Sequence, residues 1–310
     1  MIKIKNNLKI IITGGSGFIG SYLATQLKKE HDVTIFDVKQ NVNDIDFIEG
    51  DVTNLDSVKK SITNCDLVIH LAAALGVVNV ERDPVRTLDV NLGGTKNVLD
   101  ACRTNNIKKI MFSSSSEVYG EPVKVPIEET DKVIPITTYG VSKFGAEEYI
   151  KAYSKNYGIE YTIFRLFNVY GAMQATDWVL PEFVDKAILN QQISVHGDGS
   201  QVRAFCYVSD VADAFQSALT TANGEIINIG NNTSPISIKE LGEKIISLTN
   251  SKSNIKFIPF EESKRNRTEI MKRIPDIGKA KRVLNYSPKI SLDEGIQKII
   301  KYREEISVSK

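Results

Sequence analysis

Tyr139 and Lys143 stand four residues apart in Tyr-Gly-Val-Ser-Lys, at the start of a segment (139–157) whose pattern predicts a helix. Side chains four positions apart lie on one face of a helix, so the phenol and the ammonium are expected to be neighbours. A phenol with a pKa near ~10 is a poor base at neutral pH, but an adjacent positive charge favours the phenolate. The pair is therefore a candidate for removing the proton of a hydroxyl group.

Hydroxyl and carboxyl side chains are concentrated just upstream, in SSSSEVYG at 113–120. This segment follows the apolar run 108–114, which predicts a buried strand, and open α/β sheets bind their ligands at the carboxyl ends of strands. A serine hydroxyl there can polarise the same substrate oxygen from which Tyr139 takes a proton, and Glu117 adds a carboxylate at the same place.

A third informative segment is TGGSGFIG at 13–20, which follows a predicted strand and begins a predicted helix. Two glycine patterns overlap in it, Gly15-x-Gly17-x-x-Gly20 and Gly14-x-x-Gly17-x-x-Gly20. Glycines permit unusual φ angles, and their missing side chains let backbone N–H groups and a helix N-terminus approach a pyrophosphate. In this strand-turn-helix context the segment predicts a dinucleotide site.

Asp37 indicates which dinucleotide is bound. It ends the second predicted strand, 17 residues after Gly20. A carboxylate at that position can accept hydrogen bonds from both ribose hydroxyls of an adenosine and would repel a 2′-phosphate, which favours NAD over NADP. Lys39, two residues further on, weakens this selection.

The elements that must position these residues alternate between short apolar runs and longer amphipathic segments. This alternation predicts βαβ units and a doubly wound parallel sheet of the Rossmann type in an α/β fold. The rhythm changes after Asn168, so we expect an NAD-binding domain at 1–168, rejoined by a segment around 204–230, and a smaller α/β substrate-binding lobe at 169–310. The six predicted strands are 8–13, 33–37, 47–52, 66–73, 108–114 and 159–167.

The composition favours a small-molecule ligand. Lys and Arg number 39 against 38 Asp and Glu, so no bulk charge favours nucleic acid or an anionic membrane. No run approaches the ~18 apolar residues of a membrane span. The three cysteines are widely spaced, which fits a reducing cytoplasm. The three histidines have no metal-ligand spacing, so no metal site is predicted.

Taken together, these motifs resemble the extended short-chain dehydrogenase/reductase family, specifically its NAD-dependent nucleotide-sugar epimerases and dehydratases. In that family the glycine pattern is T-G-x-x-G-x-x-G, so the resemblance assigns the cofactor turn to Gly14, Gly17 and Gly20 and leaves Gly15 incidental. It implies that Lys143 holds the nicotinamide ribose beside Tyr139. The further cofactor contacts that it implies are Phe18, Ile19, Asp51, Val52, Leu71, Ala72, Ala73 and Asn91.

The resemblance also implies the reaction. The family pattern S/T-x-x-V-Y-G makes Ser115 the hydroxyl that acts with Tyr139 and Lys143. Tyr139, favoured as phenolate also by the positive nicotinamide ring, removes a hydroxyl proton while hydride leaves the same carbon for NAD. The family carries out this step at C4 of a sugar attached to a nucleoside diphosphate.

Several outcomes of the 4-keto intermediate stay open. It can be reduced on its other face (epimerase), lose water across C5 and C6 (dehydratase), lose a C6 carboxylate (decarboxylase), or leave as product (net dehydrogenase). Glu117 is a suitable base for a C5 proton, which favours the outcomes that need one. A non-catalytic NAD-binding sensor or scaffold is the alternative outside enzymes, but it would have no use for Ser115, Tyr139 and Lys143.

Substrate contacts follow from the same resemblance. Asn168 lies in Phe-Asn-Val-Tyr-Gly, whose asparagine binds a substrate phosphate, and Arg203 matches the diphosphate arginine, although Ala204 follows it where an acidic residue is usual. A second phosphate arginine is expected at Asn266, so the flanking Arg265 or Arg267 must substitute. Arg273 resembles a decarboxylase segment, R-x-P-D-I, whereas Tyr-Gly-Val-Ser-Lys lacks the aspartate usual in decarboxylases. The remaining implied contacts are Ser116 and the backbone of Val179 and Leu180, and a homodimer through two long helices is implied as well.

Overall fold

The chain folds around a parallel sheet, with a smaller lobe at the carboxyl ends of its strands. The computed structural model describes residues 7–76, 80, 82–262 and 269–308. The strands are β1 (Lys9–Thr13), β2 (Asp32–Asp37), β3 (Asp46–Glu49), β4 (Leu67–His70), β5 (Lys109–Ser115), β6 (Glu160–Leu166), β7 (Val169–Tyr170), β8 (Ile193–His196), β9 (Val202–Arg203), β10 (Cys206–Tyr207), β11 (Glu225–Ile229), β12 (Ile236–Ser237), β13 (Ile255–Ile258) and β14 (Lys272–Arg273).

The main sheet has seven strands in the order β11-β6-β5-β4-β1-β2-β3. Every neighbouring pair in it is parallel. The prediction of a doubly wound parallel α/β sheet is therefore confirmed. The strand order reverses between β1 and β4, and the crevice at such a reversal is the ligand-binding position of open α/β sheets.

Helices cover both faces of this sheet and build the lobe. Described residues 84–104 form one continuous helical stretch that includes a π-helical turn at Asp89–Gly93. The helices are α1 (Phe18–Leu27), α2 (Leu55–Ser61), α3 (Pro84–Leu88), α4 (Gly94–Thr104), α5 (Thr138–Tyr157), α6 (Val179–Ile188), α7 (Val208–Ser217), α8 (Ile238–Leu248), α9 (Gly278–Leu284) and α10 (Leu292–Val308). Among them, no helix is long and apolar enough to cross a membrane.

Alternation along the buried strands distributes side chains to two separate cores. Ile10 and Ile12 of β1 pack with α1 and α7 on one face, whereas Ile11 packs with α2, α4 and α5 on the other. The strand is apolar on both sides because both faces of a parallel sheet are covered. This burial keeps the carboxyl ends of β1, β4 and β5 at one edge.

The second half of the chain contributes to both the lobe and the main sheet. After β6 the chain enters the lobe, whose own core surrounds Phe183, Val195 and Leu241. It then returns as β11, which pairs with β6 and completes the sheet edge. In the lobe, Ser237 begins α8 with a capping box to Glu240.

His70, at the carboxyl end of β4, is fully buried and joins three elements. Its Nδ1 lies 2.6 Å from the Thr13 hydroxyl of β1, and its Nε2 lies 2.9 Å from the Thr95 hydroxyl of α4. Burial, with a smaller contribution from the Lys143 charge, lowers the pKa of His70 to about 3. The imidazole is therefore neutral in the folded protein at any ordinary pH.

Because the folded-state pKa of His70 lies below its ordinary value of 6.5, the stability that it contributes is complete above pH 6.5 and is lost as pH falls toward about 3. We expect His70→Gln to flatten the acid side of the stability curve by as much as ~1.4 kcal/mol per pH unit. Urea unfolding of both proteins between about pH 7.5 and about pH 4.5 measures the difference. Parallel curves would contradict this account.

Candidate active site

The turn after β1 is shaped by close backbone contacts. Gly14 has φ +71°, and a Cβ placed on it would lie 2.5 Å from the backbone nitrogen of Ala72 in the segment after β4. A Cβ on Gly20 would lie 2.3 Å from the carbonyl oxygen of Gly14. A Cβ on Gly17 would lie 3.2 Å from the same carbonyl oxygen, and among the described residues no other non-neighbouring atom would come within 4 Å of it. Gly14 and Gly20 are thus required by the fold, whereas a Cβ on Gly17 would make one tight contact, with that carbonyl, and would otherwise face open space above the turn.

That open space faces the start of α1. Gly17 caps the helix with extended backbone and no side-chain cap, so the first N–H groups of α1 have no side-chain acceptor. Such an uncapped helix start fits a pyrophosphate. The side chains of Phe18 and Ile19 pack instead against the core of the lobe, so what they could offer a cofactor is backbone N–H.

Gly15 is not incidental, contrary to the expectation from the family pattern. A Cβ on Gly15 would lie 2.8 Å from Cγ1 of Ile35 in β2. Because Gly15 has no side chain, the turn can pack closely against the neighbouring strand β2. This contact is tertiary, which is why the glycine pattern did not reveal it.

Asp37 lies at the end of β2, directly beside the turn. One carboxylate oxygen accepts a hydrogen bond from the Ser16 N–H at 3.0 Å, and the other accepts one from the Val38 N–H at 2.8 Å. Each oxygen keeps a lone pair for a ribose hydroxyl. Asp37 therefore fits the adenosine end of a dinucleotide, at the same sheet edge as the uncapped helix.

The other expected cofactor residues lie around this crevice with different degrees of freedom. Asp51 binds its own turn, because its Oδ1 accepts from both the N–H and the hydroxyl of Thr53 at 2.9 Å. Val52 is buried against Gly94. The segment Leu71–Ala73 continues from β4 and crosses directly beneath Gly14, through Ala72.

Asn91, in the π-helical turn, has an amide whose oxygen and nitrogen both bind protein. Its Oδ1 accepts from the Ala74 N–H at 2.7 Å, and its Nδ2 donates to the Ala74 carbonyl at 3.0 Å and to the Ser142 hydroxyl at 2.9 Å. The side chain thereby ties the segment after β4 to α5. Both N–H donors of the amide are therefore used, and only the second lone pair of Oδ1 could accept a hydrogen bond from a cofactor without replacing one of these bonds.

Ser115, Tyr139 and Lys143 are brought together at the carboxyl end of β5. The Ser115 hydroxyl lies near enough to Tyr139 to lower the pKa of the phenol by hydrogen bonding. The Lys143 ammonium donates to the Ser113 carbonyl at 2.7 Å and lies 4.7 Å from the ring centre of Phe112 and 5.8 Å from that of Tyr139. The spacing of four on α5 places the phenol and the ammonium as the sequence predicted.

The start of α5 explains how this cluster can be so tight. Thr137 caps the helix by accepting a hydrogen bond from the Gly140 N–H at 2.9 Å. A Cβ on Gly140 would lie 2.7 Å from the Glu117 carbonyl, so glycine lets the helix approach the short 3-10 turn Ser116–Tyr119. The second residue of Tyr-Gly-Val-Ser-Lys thus has a steric function.

Burial shifts both titratable groups toward their neutral forms. Burial lowers the pKa of Lys143 to about 7, and the Glu147 charge opposes that shift. Burial and the Glu117 charge raise the pKa of Tyr139, whereas the Ser115 hydrogen bond and the Arg273 charge lower it. The surrounding charges therefore decide whether this pair can exist as phenolate and ammonium.

Glu117 points toward the cluster and is held from two sides. Its Oε1 accepts from Nη1 of Arg273 at 3.2 Å, and its Oε2 accepts from the Thr137 hydroxyl at 2.9 Å. The two side chains of the ion pair are 21% and 17% exposed, so the pair remains open to a ligand. Both charges are near enough to Tyr139 to influence its pKa.

The expected substrate residues lie on the lobe side of the crevice. Asn168 has φ +38° and donates weakly to the Ala204 carbonyl at 3.5 Å, and Arg203 is ion-paired with Glu269. Ser116 is buried, and Leu180 has its side chain in the lobe core while Val179 begins α6. Arg265 and Arg267 lie outside the described residues.

Sequence reasoning missed a buried ion pair directly behind the cluster. Glu147 is fully buried and receives Nε and Nη2 of Arg165 at 3.0 and 2.7 Å, and it also accepts a short hydrogen bond from Ser114 at 2.5 Å. Its spacing of four from Lys143 was available as a signal. Its partner comes from β6, and that contact is set by the fold.

The sequence of the chain matches a known protein family. The sequence model described as the NAD dependent epimerase/dehydratase family matches residues 10–230, which is more than half of the chain. The chain belongs to the NAD-dependent epimerase/dehydratase family. It is an enzyme of this family with NAD as cofactor, as predicted.

Relatives within the epimerase/dehydratase family differ in their reactions. The chain is 38% identical over 305 residues to a putative UDP-glucose 4-epimerase of Methanocaldococcus jannaschii, covering 94% of this chain and 97% of the relative. It is 35% identical over 319 residues to a UDP-N-acetyl-alpha-D-glucosaminuronate decarboxylase of Bacillus cytotoxicus, covering 96% and 98%. The crystal structure of the UDP-glucose 4-epimerase of Thermotoga maritima with UDP-glucose has a TM-score of 0.91 at 29% identity, covering 97% of this chain and all of that one.

The glycine turn yields a prediction that separates cofactor binding from folding. Gly17→Ala places a methyl group 3.2 Å from the Gly14 carbonyl oxygen and otherwise in open space, so we expect it to cost less stability than Gly20→Ala. It should raise the NAD dissociation constant about tenfold or more, because the new methyl group occupies the approach to the helix start. Gly20→Ala forces a Cβ onto a carbonyl oxygen and is expected to cost about 1–3 kcal/mol of stability. Calorimetric NAD titration and urea unfolding measure the two effects. Equal destabilisation by both changes would refute the distinction.

Proposed function

We propose that the chain is a UDP-sugar 4-epimerase, which oxidises C4 of a UDP-linked hexose and reduces the 4-keto intermediate on its other face. The observation that carries this proposal is the contact of Ser115, Tyr139 and Lys143 at the carboxyl end of β5. The M. jannaschii and T. maritima relatives support UDP as the nucleotide of the substrate.

When bound, NAD supplies the hydride acceptor and donor. In this proposal Tyr139 takes the proton of the C4 hydroxyl and later returns it, and Ser115 donates a hydrogen bond to the same oxygen. Lys143 lowers the cost of the Tyr139 phenolate with its charge. Lys143 is buried and Ser115 and Tyr139 are half-buried, so little water reaches these groups, which strengthens each of these interactions.

The condition of Glu117 favours epimerisation over dehydration. Dehydration requires a free base for the C5 proton, but both oxygens of Glu117 are engaged, one by the Arg273 guanidinium and one by Thr137. Epimerisation at C4 needs no such base, so it fits Glu117 as the structure holds it.

Arg203 is proposed to bind the substrate diphosphate, with Asn168 and Arg267 as further contacts. A guanidinium offers a fork of donors that suits phosphate oxygens. In Arg203 the group is nearly buried, with Nη2 paired to Glu269 and Nη1 donating to the backbone, so a diphosphate would take the place of Glu269. Burial and the nearby Arg273 lower the pKa of Arg203 to about 10. Arg203 and Arg273 are balanced by Glu117, Glu121 and Glu269, so a substrate diphosphate would compete with these carboxylates for the two guanidinium groups.

Decarboxylation of a UDP-linked uronic acid is a second candidate, supported by Arg273. Among the described residues, Nε of Arg273 is buried without a hydrogen-bond partner, while Nη1 holds Glu117. A guanidinium with a spare donor suits a substrate carboxylate. The B. cytotoxicus relative is named for a reaction of this kind.

We also propose that the protein is a homodimer and that it works in the cytoplasm. A homodimer would cover the exposed side chains of Val85 on α3 and of Val141 and Tyr157 on α5, which lie on the two long helical segments. Unpaired thiols at Cys65, Cys102 and Cys206 support a reducing cytoplasm.

The first test is incubation with UDP-glucose, UDP-N-acetylglucosamine and UDP-glucuronate in deuterated water, with products identified by mass and NMR. We expect an isomeric sugar without solvent deuterium. Tyr139→Phe should lower kcat by about 10²- to 10⁴-fold with NAD binding retained, because the acid–base hydroxyl is gone. Full activity of that variant would rule out the proposed chemistry, and loss of carbon dioxide with uptake of deuterium would favour the decarboxylase.

Glu117→Gln distinguishes the two candidates. An epimerase should keep kcat within about tenfold, because Glu117 takes no proton in its reaction, whereas a decarboxylase that uses this carboxylate should lose about 10²-fold or more. Glu121→Gln is the matched control, since Glu121 lies nearby and binds the Met271 N–H at 2.8 Å. A loss at Glu117 of the larger size, with Glu121→Gln unaffected, would exclude the 4-epimerase.

A further inference from the structure

Lys143 is an ammonium in the protein interior without an adjacent carboxylate. The side chain is 2% exposed, and its described contacts are one carbonyl, of Ser113, and the rings of Phe112 and Tyr139. Removing a charge from water without a nearby opposite charge is costly, and the group then tends to lose its proton. A counter-charge must therefore come from slightly further away.

Glu147 is that counter-charge. It lies one turn beyond Lys143 on α5, so Tyr139, Lys143 and Glu147 form a single stripe at spacings of four along the helix. It is fully buried, with 0% exposure. Of the charged groups around Lys143, it alone raises the pKa of the ammonium.

The remaining groups around the ammonium are accounted for. His70 of β4 is neutral, because burial lowers its pKa to about 3. Tyr139 is the working phenol of α5, and β5 contributes a ring and a carbonyl. Arg165 of β6 reaches the cluster through Glu147, which receives its Nε and Nη2.

The same carboxylate also positions the end of β5. Ser114 donates a short hydrogen bond to Glu147 at 2.5 Å. The residues on either side of Ser114 both serve the cluster: the Ser113 carbonyl accepts from Lys143, and the Ser115 hydroxyl lies beside Tyr139. Arg165 is in turn fixed by the Tyr119 hydroxyl at 3.0 Å. The ion pair thereby joins α5, β5 and β6 behind the reacting groups.

We propose that Glu147 is a positioning residue for the reaction, which holds Lys143 in its charged form and fixes the end of β5 against α5. This inference rests on the proposed function, because it assumes that Lys143 assists Tyr139. Arg165 has a separate function: it stabilises the buried Glu147 charge, because an unpaired carboxylate there would take up a proton and become neutral.

Three variants separate the charge effect from simple stability. Glu147→Gln keeps the shape but removes the charge and leaves Arg165 unpaired. Glu147→Gln/Arg165→Met removes both charges, so it should recover part of the lost melting temperature. Thr162→Val is the control: it removes a buried hydrogen bond of β6, from the Thr162 hydroxyl to the Ala222 carbonyl at 3.0 Å, away from the cluster.

For Glu147→Gln we expect kcat to fall about tenfold, KM to change less than about twofold, and the alkaline limb of the kcat–pH profile to move down by about one pH unit. The double variant should remain shifted in the same direction, by less, and Thr162→Val should keep the wild-type profile. The Lys143 ¹³Cε resonance, assigned with Lys143→Arg, should titrate at lower pH in Glu147→Gln with NAD bound.

Two results would overturn the inference. One is an unchanged Lys143 titration in Glu147→Gln. The other is a double variant with the full wild-type profile, which would mean that Glu147 merely neutralises Arg165. Lys143→Met tests the underlying function separately: full activity of that variant would refute the proposed reaction, whatever the Lys143 resonance shows in Glu147→Gln.

Discussion

The burial of one positive charge, the Lys143 ammonium, is the constraint around which the candidate site is arranged. An ammonium is stable in the interior only if carbonyls, ring faces and an opposite charge surround it. The carbonyl of Ser113, the ring of Phe112 and the carboxylate of Glu147 meet that need. Ser113 and Phe112 lie on β5 and Glu147 lies on α5, so all three depend on how β5 packs against α5. The same packing therefore positions both the buried charge and the end of the strand.

The opposite edge of the crevice depends on close backbone approach. Gly14, Gly15 and Gly20 let the turn after β1 lie against the segment after β4, against Ile35 and against α1, respectively. What remains open is the space above Gly17 and the uncapped start of α1. The cofactor site is therefore open because these glycines have no side chains and the start of α1 has no side-chain cap. A dinucleotide would supply the contacts that side chains do not make there.

The sequence pattern predicted those features that depend on residues close together in the chain. Runs of β-branched residues identified the six strands up to Leu166, and the spacing of Tyr139 and Lys143 placed their side chains together, because helix periodicity is a local property. Gly15 was misjudged since its contact with Ile35 joins two strands. The pairing of Glu147 with Arg165 and the hydrogen bonding of the Asn91 amide escaped notice for the same reason: each depends on which elements become neighbours.

The path of the chain through the sheet has a consequence for its biosynthesis. β6 ends at Leu166, but its outer neighbour β11 is not complete until Ile229, after most of the lobe's early elements. During translation the edge of β6 therefore stays unpaired while the lobe emerges, and an exposed strand edge invites association with other chains. The first half of the chain cannot finish its sheet alone. The part of the chain that must be synthesised before the sheet can close therefore extends well past Asn168, through much of the lobe.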